Sequence, residues 1–407
     1  MAVAAAIAVA CGPAGAPILA NPPAPRPSIA PPTALPSPVQ DPLPVELPRD
    51  DGPHDRLTEW WYYTGHLQVP TFQRGRDATH QSFGFEFVIF RAERGSFPTT
   101  WASHLAITDE FGKTFHYAQR LEVGEVVDRS PRDDDGTPTG FDLALTGADP
   151  ADPSTFGRAG WSMSGSDGTD RLSASVDPAE AAAQGTAPMG LDLRLISRKP
   201  PALHDRDGWI DFGPGGGSYY YSRTDMAADG KLTLGDKTYE VNGQAWFDHQ
   251  WGDFISVGGG GWDWFAINLG GGTDVTLSLV RDADGSYPLI YGTLVRPDGT
   301  TVHLDRDAFE VRTSGTWTSP TTGAVYPSAW SIEIPGEDLS IQLTPTVAGQ
   351  ELDTRATTGV VYWEGSQRVL VRRGPAGPNV PVSGGLAYVE LTGYAPSGAA
   401  PAPSIAP

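Results

Sequence analysis

Two aromatic runs about two hundred residues apart constrain this chain more than any other feature: Glu59-Trp60-Trp61-Tyr62-Tyr63-Thr64-Gly65-His66-Leu67 and Gly261-Trp262-Asp263-Trp264-Phe265-Ala266-Ile267-Asn268-Leu269. They read as one strand written twice, and a duplicated chain should return its later landmarks in the same order. Residues 86–91 recur as 276–281, each an apolar run closed by Arg and a polar turn. Trp161-Ser162 with Leu172-Ser173 returns as Trp330-Ser331 with Leu339-Ser340, and residues 219–224 are set against 387–392. The spacing drifts as unequal loops would make it. Two similar domains are expected, over residues 51–224 and 225–395.

Between those limits the local signal is strand and turn. Apolar or alternating runs are separated by turn chemistry such as Asp109-Glu110-Phe111-Gly112, Leu234-Gly235-Asp236-Lys237 and Arg296-Pro297-Asp298-Gly299. One short helix is predicted, residues 178–184, with Asp177 as its N-cap. An all-β antiparallel barrel or sandwich follows for each half, and a barrel of about eight strands can hold one small ligand. The barrel interior is therefore the expected site. With 39 % hydrophobic and 10 % aromatic residues the chain can fill ordinary cores. The 49 acidic against 28 basic side chains, a formal charge of −21, would repel nucleic acid and anionic lipid headgroups, so no nucleic-acid partner is expected.

The single cysteine, Cys11, rules out an internal disulfide. It follows the apolar residues 2–10 and precedes Gly12, as in the end of a bacterial lipoprotein signal. The expectation is a signal over 1–11 with Cys11 lipidated, a Pro/Ala-rich disordered linker over 12–50, and a disordered tail over 396–407. This implies export to the cell surface or periplasm, with peripheral membrane attachment through the lipid.

The runs 59–67, Gly84-Phe85-Glu86-Phe87 with Phe90-Arg91, Ser103-His104-Leu105-Ala106-Ile107-Thr108-Asp109, Gly243-Gln244-Ala245-Trp246-Phe247-Asp248-His249-Gln250-Trp251-Gly252 and Leu391-Thr392-Gly393-Tyr394 resemble the AttH and carotenoid 1,2-hydratase family. The resemblance spans about Gly52 to Tyr394. It implies two tandem lipocalin-like antiparallel β-barrels, and an enzyme acting on an apolar isoprenoid, polyketide or fatty-acyl ligand. Hydration of an alkene needs a strong proton donor, shelter for the cation and one water. A carboxyl kept neutral by an apolar site can donate, and aromatic faces stabilise the cation by roughly 0.5–2 kcal/mol each. On the family pattern His249 and Trp251 are the implied catalytic pair, and Asp248 and Asp263 supply candidate acids. Trp262 and Trp264, with Glu59, Trp60, Tyr62 and Tyr63, are candidate ligand-binding residues. Strand alternation sets Trp262 and Trp264 on one face and Asp263 on the other. His54 precedes the first aromatic strand much as His249 precedes the second, and His104 has the setting of a core histidine.

Other chemistries lack their motifs. There is no Gly-x-Ser-x-Gly elbow for a serine hydrolase and no His-Glu-x-x-His, so a zinc site would have to assemble from distant strands. The Gly-rich stretches 213–217 and 258–261 contain no phosphate-loop lysine. No cofactor and no metal are expected. The alternative to a hydratase-like enzyme is a surface protein that binds an apolar ligand without chemistry.

Overall fold

The computed structural model describes residues 41–70, 81–147, 158–254, 259–374 and 382–395. The leader with Cys11, the stretch up to residue 40 and the tail from 396 lie outside the described residues. The chain is almost entirely β. A 12-stranded antiparallel sheet covers residues 58–254 and curls into a nearly closed barrel, and a 10-stranded sheet over residues 259–392 forms a half-barrel. Each aromatic run lies near the middle of its sheet. The strand Thr58–Gln68 sits between Ser82–Arg94 and Lys237–Phe254, and Gly259–Leu269 sits between Thr273–Asp282 and Val382–Thr392. The helix forms as expected, Pro178–Gln184, with the Asp177 carboxylate accepting from the backbone N–H groups of Ala179 and Glu180.

Three expectations are corrected. Strand pairing divides the chain at 255–258, not at 224. Residue 224 lies inside Gly216–Leu234, and the two-residue turn Gly235-Asp236, with Gly235 at φ 63°, folds that strand straight back against Lys237–Phe254 in the same sheet. Second, residues 387–392 are not the counterpart of 219–224. Asp248 pairs with Tyr62 and Glu390 with Trp264, so register matches Ala387-Tyr388-Val389-Glu390 to Ala245-Trp246-Phe247-Asp248. Residues 219–224 then correspond to the Tyr362-Trp363-Glu364 strand, since Ser222 pairs with Asp248 as Glu364 pairs with Glu390. Third, residues 41–50 are packed rather than a loose linker. Asp41 accepts from Arg56 and from the Tyr219 hydroxyl, and the turn Arg49–Asp51 brings Asp51 under the barrel, where Tyr221 and Arg223 donate to its carboxylate.

Period-two alternation gives every central strand two buried faces. One face turns into its own barrel: Trp61, Tyr63, Phe85, Phe87, Trp101, Trp161, Tyr221 and Phe247 in the first half, each 0–1 % exposed, and Phe265, Ile267, Tyr326, Trp330 and Trp363 in the second, each 0–2 % exposed. Large rings at successive inward positions fill these lumens with side chains, which removes the expected interior site. The opposite faces of the two sheets pack on each other, forming a seam whose centre is Tyr62, Val88, Trp246, Trp264, Ala266 and Tyr388. Several bonds span it. Lys199 pairs with Asp274, which also accepts from Thr224, while His204 bonds Thr293 and Thr108 donates to Gln350.

Candidate functional site

Alternation splits the candidate residues among three places. Trp60, Tyr62, Asp248, Trp262 and Trp264 face the seam. Glu59, Tyr63, His249 and Trp251 face the first lumen, and Asp263 faces the interior of the half-barrel. Asp248 and His249, neighbours in sequence, are thus on opposite sides of a sheet and cannot serve one reacting centre.

The seam collects four carboxyl groups, three of them buried and Glu390 partly so. Asp248 accepts from the Trp246 indole (2.7 Å), the Ser222 hydroxyl and the Tyr220 hydroxyl (2.7 Å), and the Trp264 indole donates to the Tyr220 oxygen (3.0 Å). Burial outweighs those three donors and pushes Asp248 up to about 7. Glu390, its repeat counterpart, accepts from the Trp262 indole (3.0 Å) and is likewise raised by burial to about 7. Glu364 takes the Tyr62 hydroxyl (2.8 Å) and is raised by burial and by the neighbouring carboxyls of Glu86 and Glu390. Glu86 is pushed up to about 8 by burial. The second carboxyl oxygens of Glu86 and Glu364 have no hydrogen-bond partner.

Burial sets the protonation of Glu86. The Tyr362 hydroxyl donates to Glu86 Oε1 at 2.7 Å, which alone would lower the carboxyl, but burial outweighs that bond and keeps Glu86 a neutral acid up to about pH 8. The Tyr362 oxygen also lies 2.7 Å from His104 Nδ1, and His104 Nε2 lies 3.0 Å from the Thr357 hydroxyl. Burial holds His104 neutral, down at about 3. The seam thus holds a neutral carboxylic acid among aromatic rings. Trp60, Phe90 and Trp262, only partly buried, form its rim.

The lumen group is a different arrangement. Glu59 Oε1 lies 2.7 Å from His54 Nδ1 and 3.0 Å from His249 Nε2, and the His54 backbone N–H donates to Oε2 at 3.0 Å. Burial would raise Glu59, but His54 and the His249 hydrogen bond outweigh it and hold the carboxylate at about 2. One donor atom from each of these three residues lies within 4.8 Å of the others, close enough to share a metal ion. Trp251 stacks on His54 at 4.1 Å, and the Tyr63 hydroxyl donates to Asp170 at 2.9 Å. Asp263 is 4 % exposed, lies 3.3 Å from Arg281, accepts from Tyr394, and is raised by burial to about 6.

Sequence reasoning passed over Glu86, Glu364 and Glu390. Their signal was present: each is a lone acid inside an apolar strand run, Phe85-Glu86-Phe87, Trp363-Glu364-Gly365 and Val389-Glu390-Leu391. An acid at a strand position buried on both faces has no route to water.

Fold and site together define a lipocalin-like pair of β-sheets with buried acids between them. The AttH-like family profile matches residues 38–394, and the chain belongs to that family. An AttH protein from Nitrosomonas europaea is 28 % identical, covering 88 % of this chain and 99 % of its own, with a TM-score of 0.69. Kievitone hydratase from Nectria haematococca shares the fold at 15 % identity and a TM-score of 0.59, over 86 % of this chain and 93 % of its own. CghA aligns with a TM-score of 0.50 at 14 % identity, covering 84 % and 89 %. No curated protein matches the sequence.

Proposed function

We propose that this chain is an enzyme that adds water to an apolar alkene, or runs the reverse or a related cyclisation, with a proton from the seam acids. The observation that carries this is the neutral Glu86 carboxyl, whose charge would act on neighbouring Glu364, each with one unpartnered oxygen in a seam of indole and phenol rings. In the proposed reaction the Glu86–Glu364 pair gives a proton to one alkene carbon. The cation left on the other carbon lies against the faces of Tyr62, Trp246 and Trp264, worth roughly 0.5–2 kcal/mol per ring. A water oxygen then bonds to that carbon and its proton returns to the carboxylate, so the acid is regenerated. Asp248, aligned by three donors, orients the water. Support from the comparisons is limited to a fold shared with a protein named as a hydratase.

The test is incubation with a panel of isoprenoid and polyketide alkenes in deuterated water, with mass spectrometry of products. The expected product gains one water and one carbon-bound deuterium, and kcat/KM falls as pH rises past about 8, where Glu86 loses its proton. Glu86→Gln and Glu364→Gln should abolish turnover while native mass spectrometry still shows bound alkene. Bound alkene with no product in any variant or in the parent would make the protein a carrier.

Export and lipid attachment at Cys11 belong to the same proposal and are supported by the leader pattern alone. Metabolic labelling with a palmitate analogue should mark the chain and fail in Cys11→Ser.

A further inference from the structure

We propose that His54, Glu59 and His249 bind one divalent transition-metal ion of the zinc class, independently of the seam chemistry. Two imidazoles and a carboxylate are a donor set that suits zinc, cobalt or nickel rather than calcium or magnesium. The three come from separate places: the loop before the first aromatic strand, the second residue of that strand, and the strand beside it, where His249 pairs with Trp61. Their rings are already held. His54 lies parallel to Trp251 at 4.1 Å and 2°, and His249 is stacked 4.7 Å from Trp61. Asp50 stands 3.4 Å behind His54 Nε2, the carboxylate–imidazole support that metal-bound histidines carry. The carboxylate and His249 are fully buried, whereas the His54 side chain is 19 % exposed, so an ion would reach the site past His54 and keep a water on that side.

The duplication supplies an independent argument. In the half-barrel, Gly261 stands where the first barrel has Glu59, and Leu391 where it has His249, in register. The same strand pair therefore closes without this group, and the fold does not require it. Burying a carboxylate and two imidazoles costs stability that an apolar pair avoids. A further sign is His249 Nδ1, buried in the aromatic cage with no partner at all.

The experiment uses the untagged chain, stripped with a chelator and titrated with Co2+, whose visible absorption reports coordination by nitrogen. Zn2+ content after dialysis is measured in parallel. One ion per chain is expected, with affinity falling by more than about tenfold in His54→Ala and in Glu59→Gln. His249→Leu, the residue the other half uses, should fold and bind no ion. Glu110→Gln, a half-buried acid paired with His66 elsewhere in the fold, should bind as the parent does. His54→Ala is at the mouth and keeps the test decisive if a buried variant fails to fold. Equal, weak binding by the parent and by His54→Ala would overturn the proposal and leave a purely hydrogen-bonded His–Glu–His group.

Discussion

Replacing Glu86 by Gln should stabilise the protein at neutral pH, although it removes a group proposed to act in catalysis. The sign follows from linkage. The folded-state value of Glu86 is about 8 against an ordinary 4.5, so below pH 4.5 both folded and unfolded chains hold the proton and its contribution is fully present. Between those values the unfolded chain ionises while the folded chain does not, and stability falls by about 1.4 kcal/mol per pH unit until pH passes about 8. By pH 7 the loss is about 3 kcal/mol, an order-of-magnitude figure for a fully buried group. Gln has the shape of the neutral acid, can accept from the Tyr362 hydroxyl, and does not ionise. Urea unfolding of both proteins from pH 5 to pH 8 reads this proton together with the relief of Glu364, which loses the neighbouring charge and shifts the balance in the same direction. The variant's advantage should grow with pH. Parallel curves, or a variant that loses ground as pH rises, would mean that Glu86 is ionised in the fold.

Three further outcomes are expected. Lys199→Met leaves Asp274 buried beside Thr224 and Asn268 without its cation, and should cost about 3–5 kcal/mol in urea unfolding, much of it recovered by Lys199→Met with Asp274→Leu; a single-variant cost below about 1 kcal/mol would show that the pair is hydrated. Gly84→Val would drive a Cβ to within 2.4 Å of the Tyr388 hydroxyl and 2.8 Å of Ser366, so a loss of about 1–3 kcal/mol with altered Trp fluorescence is expected, and an unchanged spectrum would contradict this packing of the seam. Asp248→Asn confronts at least one of three donors with an amide N–H, costing about 1–3 kcal/mol; near-neutrality by thermal unfolding would mean that those donors already reach water.

What the sequence determined by itself was the repeat, the all-β class, the capped helix and the identity of the aromatic strands, because these rest on local period and turn chemistry. Even the decisive split was half legible: alternation says that Asp248 and His249 point opposite ways, but not what lies on either side. Only the tertiary structure decided that. Rings as large as Trp61, Phe87 and Trp161 filled the lumen, and packing one sheet on the other buried Glu86 and Glu364 beyond the reach of water, with Glu390 half-covered beside them. The partners that set their protons stand at a distance in the chain, Glu86 being 276 residues from Tyr362 and Tyr62 302 from Glu364. A carboxyl's acidity depends on its three-dimensional surroundings, which no local pattern encodes, and that is why these acids looked like ordinary strand residues until the halves were brought together.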